Sequence, residues 1–230
     1  MEQTGFRTGF ACLFYGGPGT GKTETALQLA RMTGRDIMQV DISSIRDKWY
    51  GETEKIVKSI FESYAERVKK SKHIPILLIN EADAVLSVRT TVGGNNPTLE
   101  KTENAIQNIL LQAMEDIDGI MIATTNLTCN LDSAFDRRFL YKVEFHQPSV
   151  EAKTHIWQSF IPGLADADAN VLARSYNFSG GQIENIARKV MVDHLLFGGT
   201  PDLNHIEELC SKEQIAGRNT NSRRPIGFRS

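Results

Sequence analysis

Cysteine is scarce in this chain, with three in 230 residues at positions 12, 129 and 210, odd in number and far apart. That spacing leaves no disulfide framework and no paired-cysteine zinc site, and it fits reduced thiols. Cys12 and Cys129 sit beside apolar segments and read as core or near-core. The five histidines contain no HExxH pair, which excludes a zinc-protease site of that kind. No apolar run approaches the roughly 20 residues of a membrane span, and Met1–Gly9 lacks the apolar centre of a secretory signal. A soluble cytoplasmic protein with no membrane partner is expected. An excess of one charge is missing too: 26 basic residues stand against 28 acidic ones, a formal net of −2, so bulk electrostatics call for no nucleic acid. Internal repeats and long low-complexity segments are absent. With 40% hydrophobic residues the chain can bury the core of one large domain, or of a core domain with a small one.

What the chain does have is GGPGTGKT, Gly16 to Thr23. Glycines at this spacing let the backbone approach a string of phosphates, and a lysine and a hydroxyl follow where a phosphate charge and its metal would lie. The preceding FACLFY, Phe10 to Tyr15, reads as a buried strand, and Thr23 to Met32 reads as a helix. The motif therefore has the strand-loop-helix context in which backbone N–H groups and a helix N-terminus face one anion. Gly17, Pro18, Gly19, Thr20, Gly21, Lys22, Thr23 and Glu24 form the candidate site for ATP or ADP. Lys22 would reach the β and γ phosphates, and Thr23 would hold Mg²⁺.

Further apolar runs follow at Asp36–Asp41, Ile74–Asn80, Gly119–Thr125 and Tyr141–Phe145, alternating with helical patterns. This alternation predicts an α/β fold with a five-stranded parallel sheet and helices on both faces. Ile56, Val57, Ile60, Phe61, Tyr64 and Val68 recur at helical spacing over Glu52–Lys70, and Ile106, Ile109, Leu110, Ala113, Met114 and Ile117 do so after a Gly, Asn and Pro-rich loop at Thr90–Pro97. From Gln147 strands give way to helical patterns at Val150–Phe160, Ala167–Tyr176 and Gln182–Leu196. The expected division is a nucleotide-binding domain over 1–146 and a small all-helical lid over 147–230. The basic tail from Gly217, with Arg218, Arg223, Arg224 and Arg229, reads as solvated rather than as a nucleic-acid contact, because no aromatic-interleaved basic surface accompanies it.

After the third strand comes Asn80-Glu81-Ala82-Asp83. A strand end at this point can present one side chain to the metal's water shell and a neighbouring carboxylate to an attacking water. Asn80 is assigned to the metal, through water, and Glu81 to the attacking water.

With these residues in view the chain resembles the AAA+ ATPases, and among them the AAA group that includes katanin and spastin. The resemblance covers most of the sequence and rests on GGPGTGKT, on ILLINEAD, on ATTN (Ala123 to Asn126), on LDSAFDRRF (Leu131 to Phe139) and on FSGGQIENIARKV (Phe178 to Val190). It implies that Asn126 orients the attacking water or senses the γ phosphate, which a neutral amide at a strand end can do, although such a residue also suits a simple strand cap. It implies that Arg137 and Arg138 enter the neighbouring subunit's site, where a guanidinium neutralises transition-state charge. As plain surface residues they would pair with Asp132 or Asp136. Fingers acting in trans imply a ring of identical subunits, usually six.

The resemblance also reaches DKWYGETE, Asp47 to Glu54, which is similar to the first pore loop of AAA unfoldases. Lys48, Trp49 and Tyr50 would then face a polypeptide substrate in the ring's channel, with Trp49 as the gripping aromatic. Read alone, the same residues suit a hydrophobic staple at a helix start. The implied function is ATP hydrolysis in an oligomeric ring that remodels or unfolds proteins.

Three departures from the family pattern bear on that reading. The family has aspartate where this chain has Asn80, and loss of charge assistance is worth on the order of 1 kcal/mol, about tenfold in metal-nucleotide affinity or rate. A nucleotide-gated assembly module with little hydrolysis is therefore the alternative. A clamp loader or helicase is a further one, opposed by the aromatic loop and the acidic balance. Gly180-Gly181 stand where many members place a second sensor arginine, so Arg188 is not assigned to the nucleotide. Finally, only nine residues precede the first strand, whereas relatives carry an upstream segment that helps enclose the adenine, so an adaptor or targeting domain would lie outside these residues.

Overall fold

The computed structural model describes residues 9–42, 53–87, 97–127, 131–198 and 202–219. These fall into two compact units, one taking residues up to 17 and 21–146, the other 18–20 and those from 147 onward.

In the first unit β1 (Phe10–Gly16), β2 (Ile37–Asp41), β3 (Ile76–Asn80), β4 (Ile120–Thr125) and β5 (Phe139–Phe145) make one parallel sheet in the order β2-β3-β4-β1-β5. This is the five-stranded parallel sheet expected from the sequence. A strand covered on both faces needs no polar alternation, and β3, ILLIN, is buried at every position. Ile76 and Leu78 pack with Ala26 and Ala30 of α1 (Lys22–Thr33). Leu77 and Ile79 share the opposite core with Val57 and Tyr64 of α2 (Thr53–Lys70) and Ile106, Leu110 and Met114 of α4 (Pro97–Asp116). Each fully buried Leu or Ile contributes about 1.5–3 kcal/mol, so helices lie against both faces because both faces are apolar. Two four-residue helices, α3 (Asp83–Leu86) and α5 (Ser133–Asp136), follow β3 and precede β5. β5 starts at Phe139, earlier than the expected Tyr141, since Phe139 is buried and pairs with Ala11 before a register shift.

Besides this apolar packing, the Tyr64 hydroxyl ties α2 to the sheet. Tyr64, 2% exposed, donates to the Pro75 carbonyl (2.8 Å) and accepts from the Ile120 N–H (2.8 Å). Burial pushes its hydroxyl up to about 12, so it stays a donor through the neutral range. The neighbouring Gly119 has no room for a side chain, because a Cβ there would lie 2.2 Å from the Tyr64 hydroxyl.

In the second unit α6 (Val150–Phe160), α7 (Asp166–Ser175), α8 (Gly180–Phe197) and α9 (Leu203–Asn219) enclose Trp157, Leu172, Ile183, Ile186, Ile206 and Cys210. Ser149 caps α6, and Ser179 with Gln182 forms a capping box on α8, which fixes where both helices begin. The sequence reading did not identify α9, which runs to Asn219 and is held by a buried stripe of Ile206, Leu209 and Cys210. Arg223, Arg224 and Arg229 lie outside the described residues, as does Cys129. Burial pushes the Cys210 thiol up to about 12 and raises that of the half-buried Cys12, so both are poor nucleophiles at neutral pH.

Tyr64→Phe keeps the ring but strands the Ile120 N–H and the Pro75 carbonyl. It should cost about 1–3 kcal/mol in chemical denaturation. A melt that overlays the parent's would show that water or backbone adjustment replaces the hydroxyl.

Candidate functional site

The site gathers at the carboxyl ends of β1, β3 and β4, where a parallel sheet leaves a crevice at the point at which the strand order reverses. Gly16 ends β1, and Gly21 caps α1 in the left-handed region (φ 94°) without a side-chain cap. A Cβ at Gly21 would meet nothing within 4 Å, whereas one at Gly19 would lie 2.4 Å from the Ser179 hydroxyl oxygen. Pro18 and Gly19 are exposed, and Thr20 is half-buried.

Lys22, the first residue of α1, is 8% exposed. Its ammonium donates to the Gly16 carbonyl (2.8 Å), the Gly17 carbonyl (2.8 Å) and Asn126 Oδ1 (3.0 Å). Burial lowers its affinity for the proton, and the Asp83 carboxylate partly offsets this. The charge is thus held by three oxygens at the edge of the loop.

Thr23 donates to Asn80 Oδ1 (3.2 Å), and Thr124 of β4 donates to the same oxygen (3.2 Å). Thr124 also accepts from the Glu81 N–H (3.2 Å), and its carbonyl accepts from the Ala82 N–H (2.9 Å). These bonds hold Glu81 at φ 51°, a left-handed conformation that costs a non-glycine residue about 1–2 kcal/mol. Among the described residues it is the one non-glycine residue with positive φ, and its side chain is exposed. Strain of this kind is a feature of functional positions.

Asp83, which opens α3, turns back to β4. It accepts from the Thr125 hydroxyl, the Asn126 N–H (2.8 Å) and Asn126 Nδ2 (3.4 Å). Sequence reasoning left Asp83, Thr124 and Thr125 out of the site. The available signals were a second carboxylate in NEAD and two hydroxyls before Asn126, yet neither names its partner.

The remaining expected residues are placed apart. Glu24 is exposed and turned to Gln28 (2.7 Å) and Arg31 (3.3 Å) on its own helix. Arg137 caps the end of α5 and is exposed. Arg138 pairs with Glu115 of α4 and donates to the Ala134 carbonyl (2.7 Å), while its buried Nε has no partner among the described residues. Lys48, Trp49 and Tyr50 lie outside the described residues. Gly180 and Gly181 fill the first turn of α8, and Arg188 pairs with Glu184.

This donor set suits a nucleotide's phosphates, with a glycine-lined helix start and a buried ammonium beside it. For a metal it offers the Thr23 hydroxyl and the Asn80 amide oxygen, and among the described residues no group of His, Cys, Asp or Glu forms a cage. That fits Mg²⁺, which keeps waters and phosphate oxygens as its main ligands.

Residues 12–147 match the model of the ATPase family associated with various cellular activities (AAA). The chain belongs to the AAA family. It is 31% identical to vacuolar protein sorting-associated protein 4 of Dictyostelium discoideum over 78% of this chain and 40% of that protein. It is 32% identical to fidgetin-like protein 1 of Drosophila melanogaster over 67% of this chain and 29% of that one, and 28% identical to a proteasome-activating nucleotidase of Sulfurisphaera tokodaii over 92% and 54%. The chain thus spans well under two thirds of the relatives it matches. A chain of the solved E. coli MS115-1 HORMA:CdnC:Trip13 complex has the same fold, with a TM-score of 0.67 at 21% identity over 88% of this chain and 73% of that one.

Lys22→Ala removes the charge beside the loop and should weaken ATP binding by about 10- to 100-fold or more. Titration of a fluorescent ATP analogue measures it, and unchanged affinity would remove Lys22 from the phosphate site.

Proposed function

We propose that this chain is the ATP-hydrolysing module of a ring that remodels or unfolds polypeptides in the cytoplasm. The observation that carries the reading is the meeting of Lys22, the Thr23–Asn80 pair, the strained and exposed Glu81, and Asn126 at one end of the sheet of an AAA-family chain. In this reading residues 1–146 bind the nucleotide and 147–230 form the lid.

Lys22 holds the β and γ phosphates, and Gly17 to Thr23 surround them, while Glu24 stays turned along its own helix. The Thr23 hydroxyl and, through water, Asn80 would hold Mg²⁺, which neutralises phosphate charge. Glu81 accepts a hydrogen bond and then a proton from a water whose oxygen bonds to the γ phosphorus as the bond to ADP breaks. Asn126 orients that water. Arg137, exposed at the end of α5, has no anchor like that of Arg138 among the described residues, and both belong to the region that would complete a neighbour's site in a hexameric ring. Lys48, Trp49 and Tyr50 grip the polypeptide in the channel. Support for protein remodelling comes from relatives named for vacuolar protein sorting and proteasome activation.

A second reading has one observation in its favour. Asn80 is a neutral amide that already accepts two hydroxyl hydrogens, so it adds no charge to a metal site. ATP binding without turnover would then gate assembly. Asn80→Asp separates the two: a motor gains about tenfold in metal-nucleotide affinity or rate, whereas a switch passes from inert to active.

The first test is steady-state ATP turnover per subunit across protein concentration with Mg²⁺, for the parent and Glu81→Gln. Turnover that rises with concentration and drops by at least about 100-fold in the variant supports the ring ATPase. ATP binding without Glu81-dependent turnover at any concentration would leave the gated module in its place.

A further inference from the structure

An asparagine amide is nearly symmetric in shape, so sterics alone let its oxygen and nitrogen exchange places, and only its neighbours decide between them. At Asn126 the neighbours are of opposite kind. On one side the Lys22 ammonium, which can only donate, lies 3.0 Å from Oδ1. On the other the Asp83 carboxylate, which can only accept, lies 3.4 Å from Nδ2. Turning the amide over would set NH₂ against ammonium and oxygen against carboxylate, losing two charge-assisted contacts together.

Asp83 is well anchored for this task. One carboxylate oxygen takes the hydroxyl of Thr125, which is 1% exposed, and the Asn126 N–H at 2.8 Å, leaving the other oxygen directed at the amide. The Thr125 hydroxyl in turn accepts from the Leu127 N–H (3.0 Å), so the backbone at Asn126 is tied to Asp83 directly and that at Leu127 through Thr125. The Ala82 N–H, bonded to the Thr124 carbonyl, fixes the turn from which Asp83 reaches across.

We propose that Asp83 is a positioning residue that fixes the Asn126 amide with its oxygen towards Lys22, so that this oxygen passes to the attacking water when the γ phosphate takes over the Lys22 ammonium. The inference rests on the ATPase reading above and assigns to Asp83 a duty distinct from that of Glu81. Asp83 touches neither water nor phosphate in this scheme. It acts through Asn126, and a carboxylate is needed because any group that also donates would accept either face of the amide.

Asp83→Asn has the same shape but sets a donor against Asn126 Nδ2. The turnover number should fall about 10- to 100-fold, the span of one charge-assisted hydrogen bond, while ADP affinity holds. In an Asn126→Ala background the same substitution should add no further loss. Additive losses, or a loss seen equally in ADP affinity, would show a merely structural role and overturn the proposal. If the parent turns over no ATP, the ATPase reading fails and Asp83 is judged without nucleotide. The side-chain amide signals of Asn126 in ¹⁵N-labelled protein, assigned by their disappearance in Asn126→Ala, should move in Asp83→Asn, and fixed signals would overturn the proposal. Should Asp83→Asn not fold, Thr125→Val removes one hydrogen bond from the carboxylate. It should show a smaller loss with the same non-additivity, and its full additivity with Asn126→Ala would be equally fatal.

Discussion

A buried ammonium with nowhere to shed its charge constrains this structure more than any other group. Lys22 is 8% exposed, and an unpaired cation there would be several kcal/mol unfavourable. Its partners are carbonyls that end β1 and an amide just past β4. Those oxygens converge because β1 and β4 are neighbours, paired from Phe10↔Ile120 to Tyr15↔Thr125, so their ends lie side by side. The strand order is therefore a condition for solvating one lysine with protein oxygens. The same oxygens leave the ammonium beside a helix start, where a better anionic partner can compete for it.

Thr124 carries the next level of constraint. Its hydroxyl and carbonyl together engage Asn80, Glu81 and Ala82, tying the end of β3 to β4. The tie makes the left-handed backbone of Glu81 tolerable, since relaxing it would break two hydrogen bonds to recover about 1–2 kcal/mol. The result is a carboxylate facing solvent at the end of a strand whose five residues are all buried. Rigid apolar packing below and a strained turn above are two sides of one arrangement: the core fixes β3, and β3 leaves its last turn little choice.

The strands were legible because each is an apolar run bounded by glycine, asparagine or aspartate, and the phosphate loop because its spacing serves few other purposes. Helix α9 was missed because its apolar stripe, Ile206, Leu209 and Cys210, is short and is followed by polar residues that resemble a tail. At the site, sequence identified Lys22, Glu81 and Asn126 as candidates but could not orient them. Asp83 bonds residues 42 and 43 positions away, and nothing local in NEAD says that its last carboxylate turns to β4 rather than to solvent. Arg137 and Arg138 read as an equivalent pair, yet consecutive side chains leaving a four-residue helix diverge. One is exposed and the other is drawn to Glu115 at the end of α4.

The neutral Asn80 is best understood as part of a charge balance. Thr23 and Thr124 both donate to its oxygen, and a carboxylate in that position would accept the same two hydrogens, so the hydrogen-bond pattern is indifferent to the substitution. The charge is not. Around the loop stand one ammonium, Lys22, and the carboxylates of Asp83 and Glu81, and a third carboxylate at position 80 would repel an incoming triphosphate while attracting its metal. The amide weakens the attraction to the metal by an amount on the order of 1 kcal/mol. In the proposed ATPase, Asn80 would weaken the hold on the metal, and chemistry at Glu81 would depend all the more on how well Lys22 and Asn126 place the γ phosphate and the water.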